Sequence, residues 1–151
     1  MRNSLAGSTK EVLRSMAGIL VDEQPCPVGG GFKTTCDYTG AMLVIGRRTA
    51  MITLSMNREA ATLVVAYMTG ISPTELGEDD VADGMAELVN MIAGSSKSSL
   101  VGTDFHFRIT LPFVLVGENQ HIVYKSKPVD RCRHYFAGDI EAILELVYLE
   151  G

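Results

Sequence analysis

The chain is 151 residues long and carries 18 acidic against 13 basic residues, a formal charge of -5. That length predicts one domain, and folding can withdraw roughly 68–70% of the extended chain's surface from water, enough for a core without metal or disulfide staples. The acidic balance argues against a general nucleic-acid binder, which needs concentrated positive charge to displace counterions from phosphates. An apolar content of 46% with 21% charged residues is ordinary globular usage and argues against a disordered chain. No stretch approaches the roughly 18–20 apolar residues of a membrane span, and the N-terminal residues mix charge and polarity too finely for a signal peptide. Cys26, Cys36 and Cys132 are odd in number and lack a Cys-x-x-Cys pair, which fits free thiols in a reducing cytoplasm.

Along residues 3–17, Val12, Leu13 and Met16 form a helical stripe, and Gly18 stands where a C-cap is wanted. Residues 25–31, with two prolines and three glycines, predict a loop. Strands are predicted over 41–46 and 50–56, joined by a turn at Gly46-Arg47-Arg48-Thr49. Asn57 is a suitable N-cap for a helix running to Met68 and ending at Gly70, with Glu59 in its first turn. After the break at Ile71-Ser72-Pro73, a longer helix is predicted from Asp79 to Leu100. The alternation of Phe105 to Leu111 predicts a half-buried strand ending near Pro112, and further strands are predicted near 121–127 and 130–136. Residues 140–150 satisfy both periods: Ile140, Ala142, Leu144, Leu146 and Tyr148 alternate, while Ile140, Ile143, Leu144 and Val147 make a helical stripe. Pattern alone leaves that segment open.

The first and third helices look like copies of one another. Glu11-Val12-Leu13-Arg14-Ser15-Met16-Ala17-Gly18 aligns with Glu87-Leu88-Val89-Asn90-Met91-Ile92-Ala93-Gly94 at an offset of 76 residues, about half the chain. This suggests one domain over residues 1–151 with pseudo-repeat halves of about 1–75 and 76–151. The polar difference matters: Arg14 in the first copy stands where Asn90 stands in the second.

At about 100° per residue, Asp83, Glu87, Asn90 and Gly94 share one stripe of the long helix, opposite a core stripe of Met85, Leu88, Val89 and Ile92. A carboxylate and a carboxamide are thus presented side by side, with a glycine beyond them that leaves room for a close approach. Such pairs also occur on helices merely to face water. Glu75, Glu78, Asp79, Asp80, Asp83 and Glu87 precede any base until Lys97, either to compensate the helix dipole or to steer a lysine-bearing partner.

Asp83-x-x-x-Glu87-x-x-Asn90, followed by Met91-Ile92-Ala93-Gly94, resembles the signature helix of the CheC/CheX/FliY chemotaxis phosphatases. The opening helix, the Asn57-Arg58-Glu59-Ala60 hairpin exit and Leu111-Pro112 extend the likeness over nearly the whole chain. A single intact motif, with Arg14 in the other half, resembles CheX more than CheC. The predicted fold is α/β (α+β): a mostly antiparallel sheet with helices packed on one face, internally duplicated. The resemblance implies that the C-terminal segment is a strand and that the protein is a cytoplasmic homodimer. It implies a phosphatase acting on the aspartyl phosphate of a phosphorylated CheY-like receiver domain. Asn90 would hold the attacking water and Glu87 would pair with the partner's lysine, with Asp83 and Gly94 in support. The Mg²⁺ would belong to the partner, so no cofactor of its own is expected, and no nucleic-acid or membrane partner. The alternative is a non-catalytic docking domain of the same fold, like the middle domain of FliM, in chemotaxis or another two-component system.

Other patterns fail on chemistry. Gly29-Gly30-Gly31-Phe32-Lys33 lacks the Gly-Lys junction of a phosphate loop, and Cys132 with His134 offers too few ligands for structural zinc. His106 and Arg108 read as a solvated strand face, and Met51, Met56, Met68, Met85 and Met91 as core filler.

Overall fold

A computed structural model describes residues 1–26, 35–103, 106–123 and 130–149. The elements, in chain order, are α1 (Arg2–Ala17), β1 (Val21–Gln24), β2 (Tyr38–Ile45), β3 (Thr49–Met56), α2 (Arg58–Thr69), a 3₁₀ turn (Pro73–Glu75), α3 (Glu78–Ser99), β4 (Arg108–Ile109), β5 (Phe113–Val116), β6 (Asp130–Gly138) and β7 (Glu141–Tyr148). Capping chemistry ends α1 and bounds α2 at both ends. Gly18 and Gly70 adopt the left-handed conformation at φ 64° and 73°, and the Asn57 side chain accepts from the Ala60 N–H at 2.7 Å.

Seven strands among the described residues form one antiparallel sheet in the order β1-β6-β7-β3-β2-β4, with β5 also pairing along β2. Its two central strands are β7 and β3, in register from Ala50 opposite Tyr148 to Ser55 opposite Ile143. One face carries Tyr38, Met42, Ile52, Leu54, Leu144 and Leu146, which join α1, α2 and α3 in a single apolar core. The other face mixes buried apolar residues, Ala41, Ile143 and Val147, with buried polar ones. There Thr39 and Ser55 hydroxyls meet at 2.9 Å, and Glu145 accepts from Arg131 and Arg133 at 2.8 Å each.

The predicted strand over 105–111 is corrected. Phe105 is outside the described residues, and of the rest only Arg108 and Ile109 pair with β2; pairing resumes at Phe113 opposite Ala41. The four steps from Ile109 to Phe113 thus span only three from Val44 to Ala41, a bulge at Pro112, which has no N–H to give the ladder. The predicted strand near 121–127 also fails for residues 121–123, which lie outside any strand; residues 124–127 are outside the described set. The preceding turn spends its N–H groups elsewhere. Gly117 donates to the Asp37 carbonyl at 3.0 Å and Gln120 to the Cys36 carbonyl at 2.6 Å. The Gly29–Lys33 segment also lies outside the described residues. Residues 141–148, open by pattern, are strand.

Candidate functional site

The site is built on α3. Gly77 precedes the helix, and its N–H donates to the Asp80 carboxylate at 2.9 Å, while Glu78, Asp79 and Asp80 fill a first turn where the helix dipole favours acids. The inward stripe is fully buried: Met85, Leu88, Val89 and Ile92 are each 0% exposed. The outward stripe is therefore held in a fixed rotation about the helix axis. Asp83 and Glu87 are exposed, and Asn90 and Gly94 are half-buried, so the structure places all four motif residues along one accessible face. A Cβ added at Gly94 would meet no atom within 4 Å, which leaves the surface beside Asn90 open.

Two glycines that sequence reasoning missed seat this helix. At Gly84 a Cβ would lie 2.6 Å from one Val65 methyl of α2 and closer still to the other. At Gly40 of β2 it would lie 3.0 Å from the Met85 carbonyl oxygen of α3. A glycine inside a helix costs about 1 kcal/mol against alanine, so Gly84 is a legible signal of close packing. On the other side, Ser4 of α1 meets Ser96 at 2.9 Å and Ser99 at 2.6 Å, and Ser8 donates to Ser95 at 3.2 Å. These pairings run in opposite directions along the two helices, so α1 lies antiparallel to α3 and brings Met16 towards Glu87.

Between the ends of α1 and α2 and the start of α3 is a groove of about 410 Å³. Asp80, Asp83 and Glu87 line it together with Met16, Ile71 and Leu76. Among the described residues none that lines it is basic, and Arg14 of α1 is engaged by Glu11 at 2.6 Å. Far from α3, the structure brings Glu23 to the Cys132–His134 pair. His134 Nδ1 lies 2.5 Å from a Glu23 oxygen and Nε2 lies 3.3 Å from Cys132 Sγ, and burial pushes the Cys132 thiol up. The three cysteines are free thiols. Among the described residues no group of three or more His, Cys, Asp or Glu side chains is placed to hold a metal ion, and no helix is long and apolar enough to cross a membrane. His106 and Arg108 are exposed as expected, Met56 and Met85 are core residues, Met68 and Met91 are partly buried and pack against that core, and Met51 is half-buried.

Comparison with known proteins decides the family. The sequence profile of the chemotaxis phosphatase CheX family matches residues 38–132, well over half of the chain. The chain belongs to the CheX family. No curated protein matches it. Among solved structures, the chemotaxis protein CheX from Vibrio vulnificus is 23% identical, with 97% of this chain and 94% of that one covered at a TM-score of 0.82. A CheC-like superfamily protein from Shewanella sp. PV-4 is 23% identical over 99% and 96%, with a TM-score of 0.83. The CheX–CheY–BeF3–Mg²⁺ complex from Borrelia burgdorferi contains a chain 21% identical over 99% and 97%, with a TM-score of 0.75. At these identities the likeness shows a shared fold. The matched segment contains the whole of α3.

Proposed function

We propose that the protein is a phosphatase that hydrolyses the aspartyl phosphate of a CheY-like receiver domain. The observation that carries this reading is the outward presentation of Glu87 and Asn90, one turn apart on a helix whose other face is locked into the core. Family membership and the CheX–CheY complex of Borrelia burgdorferi support the partner class. The Asn90 carboxamide offers one donor group and one acceptor, enough to hold a water in line with the phosphorus without adding negative charge beside it. The water oxygen bonds to phosphorus as the bond to the aspartyl oxygen breaks, releasing phosphate and the free carboxylate. Little covalent help is needed, and positioning supplies most of the acceleration. Glu87 pairs with the receiver's lysine and fixes the docking register, and Asp83 and Gly94 support the contact. Mg²⁺ enters with the receiver as part of the substrate.

The reading also puts the protein in the cytoplasm with its substrate, as a homodimer. The two halves are proposed to be copies: β1 follows α1 and pairs with β6, while β5 follows α3 and pairs with β2, the corresponding strand of the other half. Only the second copy bears the asparagine.

The test is a phosphate-release time course on receiver domains phosphorylated with acetyl phosphate. Acceleration by the wild type, lost in Asn90→Ala while binding persists, supports the enzyme. Binding without acceleration by the wild type replaces this reading with a non-catalytic docking domain.

A further inference from the structure

The groove beside the motif stripe has a composition that the proposed chemistry does not use. Its apolar lining is Met16, Met68, Ile71, Leu76 and Met91, drawn from all three helices and the segment between α2 and α3. Met16 is 45% exposed and Ile71 is 43% exposed, so apolar surface is left in water next to Glu87. Exposed methionines and aliphatics bordering a functional stripe are a feature of surfaces that another molecule covers. Its charged members are all acids, Asp80, Asp83 and Glu87, and an occupant carrying negative charge is disfavoured there.

Resting on the phosphatase reading, we infer that this groove is the specificity pocket for the receiver: it takes one apolar side chain of the phosphorylated partner, from a segment that also carries lysine or arginine. Three features fix that occupant. The groove is continuous with the stripe, since Glu87 and Asp83 belong to both, so whatever docks over Asn90 also covers it. About 410 Å³ accommodates one large side chain with its flanking backbone, not a second domain's core. The acid rim meets the same basic character that Glu87 requires of the partner. Three methionines make the walls adaptable, which suits aliphatic and aromatic anchors of different shape and admits more than one receiver. Binding energy gained here does not change between the bound receiver and the transition state. The groove therefore acts on KM and on the choice of receiver, and leaves the chemical step alone.

The experiment measures kcat and KM for dephosphorylation of receiver domains charged with acetyl phosphate. It compares the wild type, Met16→Ser/Ile71→Ser, Met16→Leu/Ile71→Val and Asn90→Ala. Both groove positions are exposed enough for the serine pair to leave the thermal midpoint unchanged, and a melt verifies this. The expected result is a KM raised about tenfold by the serine pair, the scale set by one small apolar side chain that no longer packs, with kcat unchanged and KM largely restored by Leu and Val. Asn90→Ala shows the opposite split. An unchanged KM in the serine pair, with Asn90→Ala still inactive, overturns the groove and leaves the phosphatase standing. Full turnover in Asn90→Ala sinks the phosphatase reading and this inference with it. If the serine pair abolishes self-association in sedimentation and leaves KM alone, the groove belongs to a second copy of the chain and the inference is wrong.

Discussion

Gly84 of α3 and Val65 of α2 stand so close that one methyl group cannot be inserted between the helices: a Cβ at 84 would overlap both Val65 methyl carbons. Val65 is β-branched, 0% exposed and unable to swing aside, so the contact sets the height of α3 above α2. The same helix carries Asp83 immediately before this contact and Glu87 one turn after it. Gly84→Ala is expected to lose about 1–3 kcal/mol to overpacking, against a gain of about 1 kcal/mol in helix propensity. The midpoint should fall by a few degrees and turnover should fall with it. Val65→Ala vacates the space, so the double variant should be more stable than the summed single effects, which a double-mutant cycle on denaturant midpoints measures. Simple additivity would remove the steric explanation.

Gly94 is the opposite case. An added Cβ there meets nothing within the protein, and the residue is inside a helix. Gly94→Ala should therefore stabilise the fold by about 1 kcal/mol, a rise of roughly 2–4 °C for a chain of this size. If the bare backbone exists to admit the receiver, the same substitution raises KM. A stabler protein with unaltered KM would leave Gly94 without a part in docking.

How much of this is legible in the sequence follows from which forces act locally. Gly18, Asn57 and Gly70 act on their own helix ends, and the three helices can be read to within a residue or so of their bounds. β7 is ambiguous by pattern because it lies between β6 and β3 with both faces covered. Glu145 is buried there beside Val147 because Arg131 and Arg133 meet its carboxylate, so polar alternation no longer reports burial. The strand after α3 is misplaced by alternation because the bulge at Pro112 depends on register with β2, a partner more than sixty residues away. The motif stripe is visible because it recurs along one helix. The groove is not, since Met16, Met68, Ile71 and Met91 become neighbours only when three helices pack.

Asn90→Asp isolates charge from shape. The carboxylate is close in size to the carboxamide, so docking geometry is kept while a negative charge is placed beside the phosphoryl group and the N–H donors are removed. Turnover should fall about 10²-fold, as for other losses of positioning at a reacting centre, with little change in the melting midpoint because Asn90 is only half-buried. Single-turnover phosphate release at saturating protein separates this from weak binding. Retention of wild-type kcat by the aspartate variant would remove water positioning by the amide from the mechanism.

Asp37 connects the sheet to the helix that Gly84 packs against. Its carboxylate accepts from the Arg58 N–H at the start of α2 at 2.8 Å, from the Asn119 N–H at 2.9 Å and from the Thr35 hydroxyl at 2.9 Å. Burial pulls its pKa up, but these hydrogen bonds and the Arg58 charge outweigh burial and hold it below the ordinary value of 3.8. A carboxylate whose folded pKa is depressed contributes stability that is complete above the unfolded pKa and is lost as pH falls through the folded one. Asp37→Asn keeps one acceptor oxygen and loses the other, leaving a backbone N–H short of its partner, at a cost of about 1–2 kcal/mol near pH 7. The stability gap between wild type and variant should then narrow as pH drops below about 4. Denaturant midpoints at pH 7, 4 and 2.5 check the sign. A gap that stays constant across that range would mean that the carboxylate's charge does not hold α2 to the sheet.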